Sequence, residues 1–141
     1  MAIAILAAVL GGAYAAAGRS LRVARQSEER GTALKLAEGQ MEKLKALAPD
    51  PGSNIFGSGA FCVNDNTPPV RVNLGGTPAA DVAADNFTIY GACQINQNGV
   101  YNQSIQYDSG ANDLFTILVR WERLGGGRDE VRLLLRLHPK L

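Results

Sequence analysis

The chain has 141 residues, with 14 lysines and arginines against 13 acidic residues and a net charge of +1, so bulk electrostatics steer it neither to nucleic acid nor to an acidic partner. Basic patches interleaved with aromatics are absent, which argues further against nucleic acid. The length suffices for one domain with a real core, and 16 glycines beside few aromatics fit a loop-rich head on a simple sheet.

Met1 to Gly18 carries no charge, and then Arg19, Arg22, Arg25, Glu28, Glu29 and Arg30 arrive at helix-like spacing. Ile3, Ile5, Leu6, Val9, Leu10 and Tyr14 stand among alanines, with Gly11-Gly12 in the middle, and no proline intervenes before Pro49. The pattern predicts one long helix, apolar in its first half and amphipathic in its second. The uncharged run spans about 27 Å as helix, against about 30 Å for a hydrocarbon core. Such a run needs a membrane or sister helices around it. Gly11, Gly12, Gly18 and the alanines permit close helix approach, and Gly11-Gly12 is a weak point for bending. Two other readings fit less well. A cleaved signal peptide finds a small-x-small site at Ala13-Tyr14-Ala15, but no positive charge precedes the run and the helical period continues through the site. A buried core helix has this all-round apolar character, but the remaining chain is too small to surround it.

Further along, Leu34, Ala37, Met41, Leu44 and Ala48 recur at steps of three and four and predict one apolar stripe. Glu42 and Lys45 are a favourable i,i+3 pair. Pro49 stops the helix and Pro51-Gly52 makes the turn. The stripe is read as a helix face packed on the chain's own head.

After residue 50 the pattern changes to strands and turns. Phe61-Cys62-Val63 is a short apolar piece, and Val70, Val72 and Leu74 alternate as a short strand. Asn86 to Gln94 reads as a strand with Phe87 and Ile89 on one face, and Tyr101 to Tyr107 as another. Clearest are the last two. Phe115, Ile117, Val119 and Trp121 share a face, as do Val131, Leu133, Leu135 and Leu137, in the period-two pattern of half-buried antiparallel strands. Gly125-Gly126-Gly127 closes them as a hairpin. Their apolar faces need a cover, and the helix stripe is the long amphipathic element available. The expected fold is α+β: residues 1–50 a helix with a protruding apolar segment at 1–18, residues 51–141 an antiparallel β-sheet head.

Cys62 and Cys93 are the one possible pair. A bridge between them suits an oxidising compartment and a head beyond the membrane; two separate buried thiols are the alternative. With only His138 as a further ligand, and that distant, they make no metal set. No catalytic constellation and no cofactor motif emerges. His138 reads as a solvated residue on the polar face of the last strand. Asp108, Asn112 and Asp113 form an oxygen-rich loop that reads as a turn, with calcium as the alternative. Asn86-Phe87-Thr88 and Asn102-Gln103-Ser104 match glycosylation sequons.

Ala2-Ile3-Ala4-Ile5-Leu6 resembles the interior of the type IV pilin N-terminal helix, where Val-Ala-Ile-Ala-Ile-Leu is usual. Leu36-Ala37-Glu38-Gly39-Gln40-Met41-Glu42-Lys43-Leu44 is similar to the Leu-Ala-Glu-x-Gln-Met-Glu-x-Leu segment of minor pilins and type II secretion pseudopilins. The resemblance covers the helix by motif and the head by architecture alone. The family's processing motif, a glycine before Phe-Thr-Leu-Ile-Glu, is missing. Ala2 aligns several residues inside the mature helix, so the chain is expected to start late. The resemblance implies a pilin-like fold and a non-enzymatic structural subunit of a surface pilus. It further implies other copies or related pilin subunits as partners, the inner membrane and the pilus assembly machinery before assembly, and an extracellular filament after it. The alternative is a single-pass anchored extracytoplasmic binding protein that does not polymerise.

Overall fold

A computed structural model describes residues 2–76, 78, 80–82 and 93–139, with side chains from residue 7 onward. One α-helix, α1, runs from Ala2 to Leu47 without interruption at Gly11-Gly12. Ala48 N–H still donates to Leu44 O, at 3.0 Å, and Pro49 ends the helix. A single 3₁₀ turn follows at Pro51–Ser53, capped by Asp50, whose side chain accepts from Gly52 N–H.

The strands are β1 (Ala60–Val63), β2 (Arg71–Asn73), β3 (Gln94–Asn96), β4 (Val100–Asp108), β5 (Leu114–Glu122) and β6 (Arg128–Arg136). They form one antiparallel sheet in the order β2-β1-β4-β5-β6, with β3 also pairing β4. Long β4, β5 and β6 are the body of the sheet. The β5–β6 hairpin turns through Gly125, Gly126 and Gly127 at φ of 120°, 93° and 89°, a run of positive values that side chains other than glycine resist. Of the expected strand Asn86 to Gln94, residues 86–92, Phe87 and Ile89 among them, lie outside the described residues; the strand seen is β3, which begins at Gln94.

The helix lies on one face of the sheet. Ala37, Leu44, Phe115, Ile117, Val119 and Trp121 are fully or almost fully buried there, with Val131 beside them. Leu133 and Leu135 are half-buried, because β6 is the edge of the sheet among the described residues. Aromatic rings fill the sheet side: Tyr107 and Phe115 stack at 4.9 Å between centroids, and Phe56 meets Phe115 at 5.5 Å.

The helix stripe is rotated from the expected one. Its buried positions are Glu29, Ala33, Ala37, Gln40, Leu44 and Leu47. Leu34 is a correction: it is 40 % exposed, because it sits about 100° around the helix from Ala33. Met41 packs at the margin of the core and is half-buried. Hydropathy favours Leu34 and Met41 over Ala33 and Gln40, but the helix axis approaches the sheet closely where side chains are small, and a polar side chain is buried where its hydrogen bonds are made.

Candidate functional site

Three features organise the molecule for function: a protruding helix, a polar neck, and a head fastened on both faces of its sheet.

Every described side chain from residue 7 to 28 is exposed, and burial begins at Glu29. Val9 and Leu10 are each 64 % exposed and Tyr14 86 %. A Cβ added at Gly11, Gly12 or Gly18 would meet nothing within 4 Å, so these glycines fill no contact within the chain. The side chains of Ile3, Ile5 and Leu6 lie outside the described residues. Among the described residues, no helix is long and apolar enough to cross a membrane.

At the neck, the buried Glu29 carboxylate accepts from Leu124 N–H at 3.0 Å and Trp121 Nε1–H at 3.3 Å. These bonds hold the hairpin to the helix where the helix leaves the head. The Tyr101 hydroxyl lies against the same turn of helix, and burial, then the nearby Glu29, raises its pKa. A cleft of about 260 Å³ opens here between Arg25, Glu28, Thr32, Gln97 and Asn98.

Three turns beyond Glu29, Gln40 clamps β1. Its Nε2–H donates to Val63 O at 2.8 Å, and its Oε1 accepts from Val63 N–H at 2.9 Å. The β1–β4 pairing ends at Phe61, so the side-chain amide supplies at Val63 what a neighbouring strand supplies elsewhere. The Glu42–Lys45 pair forms on the solvent side at 2.9 Å.

On the opposite face of the sheet, Cys62 and Cys93 are joined by a disulfide, with Cα atoms 6.0 Å apart. Ala60 and Leu74 are buried around it. Nearby, Arg120 is almost wholly buried and pairs with Glu130 at 3.0 Å. The sequon asparagine Asn102 is buried in β4, which puts it out of reach of a glycosyl donor; Asn86-Phe87-Thr88 lies outside the described residues.

His138 lies beyond the end of β6, exposed as expected, but with a partner: its Nδ1 is 3.0 Å from Asp113 Oδ2. The other Asp113 oxygen accepts from the Tyr107 hydroxyl. These two bonds, the tyrosine's first, hold the Asp113 carboxyl below its usual range, and the carboxylate in turn raises the Tyr107 pKa. Asp108 Oδ1 accepts from Gly110 N–H at 2.9 Å. Asp108 and Asp113 of this loop are thus engaged as a turn and as a tether for the C-terminal tail. Among the described residues, no group of three or more metal-ligating side chains comes together.

Sequence reasoning missed Gln40 and Glu29 as structural anchors. The signal for Gln40 was a polar residue in phase with Ala37 and Leu44; Glu29 falls in the same phase at the charge onset. No family model matches the chain, and no curated protein or solved structure matches it.

Proposed function

We propose that this chain is a structural subunit of a pilus-like filament of the type IV pilin kind, polymerising through its apolar helix with the head outermost. One observation carries the reading. The same unbroken helix is the spine of the head from Glu29 onward, and every described side chain before it, from residue 7 to 28, is exposed. Each large apolar side chain left in water forgoes about 1.5–3 kcal/mol. That free energy is recovered in a bilayer before assembly and among neighbouring copies afterwards. The open surroundings of Gly11, Gly12 and Gly18 support close approach of such neighbours, since small residues let helix backbones meet. In this reading the subunit is non-enzymatic and needs no cofactor. The assembly machinery lifts it from the membrane, and the disulfide-bonded head forms the filament surface.

Val9→Arg tests the reading. An unpaired charge among apolar helices is costly, so the variant subunit should give no filaments in negative-stain micrographs of sheared surface material, with its level in the membrane measured alongside because the same charge also opposes insertion. Normal filaments from Val9→Arg would refute it. Absence of filaments from the parent chain, with the head still displayed, would favour the anchored binding protein.

A further inference from the structure

We propose that the rim of the head nearest the apolar run is a docking surface for an anionic bilayer, with Leu124 at the hairpin tip as its inserted point. The inference rests on the reading above in one respect, that the apolar run enters a bilayer before assembly.

Position along the helix comes first. The β5–β6 turn reaches past the sheet and lies beside the helix. There it encloses a groove of about 470 Å³ lined by Gly18, Leu21, Arg22, Arg25, Leu124 and Gly125. Gly18 is the last residue of the uncharged run. The hairpin tip and the end of that run therefore stand at one level, and a surface entered by the run is also met by the tip.

Chemistry comes second. Leu124 and Leu21 share the groove and are 63 % and 61 % exposed. Arg22 and Arg25, which line the groove, form no ion pair among the described residues, and neither does Arg19 on the same turn of helix. The carboxylates that face this rim are largely engaged. Glu29 is held by Trp121 and Leu124 and Glu122 pairs with Arg128 at 3.6 Å, while Glu28 lines the adjoining cleft with Arg25 without an ion pair to it. An apolar point set beside guanidinium groups that make no ion pair matches a membrane interface. Leucine enters the acyl boundary there, while arginine stems lie along it with their heads at the phosphates. Nucleic acid would use the arginines but leave both leucines in water. The three glycines behind Leu124 carry no side chain to hold the tip off the surface.

The test uses the full chain with Leu124→Cys carrying an environment-sensitive fluorophore. The native cysteines are bonded to each other, so the label has one target. Ser109→Cys, in the β4–β5 turn at the far end of the sheet, is the reference. Vesicles are phosphatidylcholine alone or mixed with phosphatidylglycerol. The label at 124 should shift to the blue and resist an aqueous quencher only in the anionic vesicles, and salt should reverse this. Each basic residue at an anionic surface is worth roughly a fivefold change in the docked-to-undocked ratio. Arg22→Gln with Arg25→Gln should therefore lower it by about 25-fold while the chain still floats with the vesicles. The proposal is overturned by a label at 124 equally wet in both vesicle types. Protection indifferent to the two arginines, or the same shift produced by duplex DNA without lipid, also overturns it. A chain that does not float overturns the membrane reading as well; one that floats with a wet Leu124 label overturns the docking surface alone.

Discussion

Replacing Gln40 is the sharpest test of how the head is held to its helix. The amide is almost completely buried and makes two hydrogen bonds to one residue, Val63, which is itself buried. Gln40→Ala removes both bonds and leaves the Val63 N–H and C=O without partners in a site closed to water. An unmet buried polar group costs about 1–3 kcal/mol, more than the 0.5–1.5 kcal/mol of an average bond. Two such groups give an expected loss of about 2–6 kcal/mol, a large share of the 5–15 kcal/mol typical of a domain. Gln40→Leu keeps the bulk and removes the amide, so it separates hydrogen bonding from cavity formation and should lose a similar amount. Gln26→Ala, on the exposed part of the helix, should change stability by less than about 0.5 kcal/mol. The assay is urea unfolding of a chain shortened to residues 19–141, followed by the fluorescence of Trp121, the single tryptophan, with the slope unchanged. Gln40→Leu unfolding at the parental midpoint would refute the clamp.

Leu44→Ala empties a fully buried position under the sheet and should cost about 2–5 kcal/mol in the same assay; a parental midpoint would show that the helix does not carry the sheet there. Reduction of Cys62–Cys93, which closes a 31-residue separation, should lower stability by about 3–4 kcal/mol by chain entropy, read as a drop in melting temperature with reductant. Modification of both cysteines in the unreduced, denatured chain would instead show that no bridge forms. The Asp113 carboxyl is depressed in the folded chain, so its contribution is complete above the ordinary carboxyl range and is lost as pH falls through the folded value. Asp113→Asn should flatten the acid limb of the stability profile, and an unchanged limb would contradict the tether. Tyr107 is raised, so its contribution holds below the ordinary tyrosine range and fades as pH rises through the folded value. Absorbance titration should find two tyrosines, Tyr101 and Tyr107, ionising late, and Tyr107→Phe should remove one of them.

The long helix and the β5–β6 hairpin were legible because periodicity persists over many residues: the charge-free run, Pro49, the alternation at Phe115–Trp121 and the three glycines each leave a local mark. The phase of the buried stripe was not. Hydropathy ranks Leu34 and Met41 above Ala33 and Gln40, while the tertiary contact selects small size at 33 and a double hydrogen bond at 40. The preference at 40 is not visible without knowing that β1 parts from β4 after Phe61. Likewise Glu29 reads as one of several charges at the neck, and only the arrival of Trp121 and Leu124 from far along the chain makes it an anchor. His138 acquires its partner in the same way, through the return of the tail to the β4–β5 turn.

The helix that leaves the head at Glu29 also fixes how the molecule bears load. A pull on the protruding end acts along the helix axis, so the head resists it in shear. Glu29, Ala33, Ala37, Gln40 and Leu44 lie in a row beneath that pull and share the strain together instead of failing one by one, as contacts do when an edge is peeled. The two polar anchors sit at the near end and the middle of the row, where sliding by one helical turn would break directional bonds as well as displace apolar side chains. On the far face the disulfide keeps the strand gripped by Gln40 covalently bound to Cys93, just ahead of β3, so even a slipped helix would leave the sheet's β1 side crosslinked.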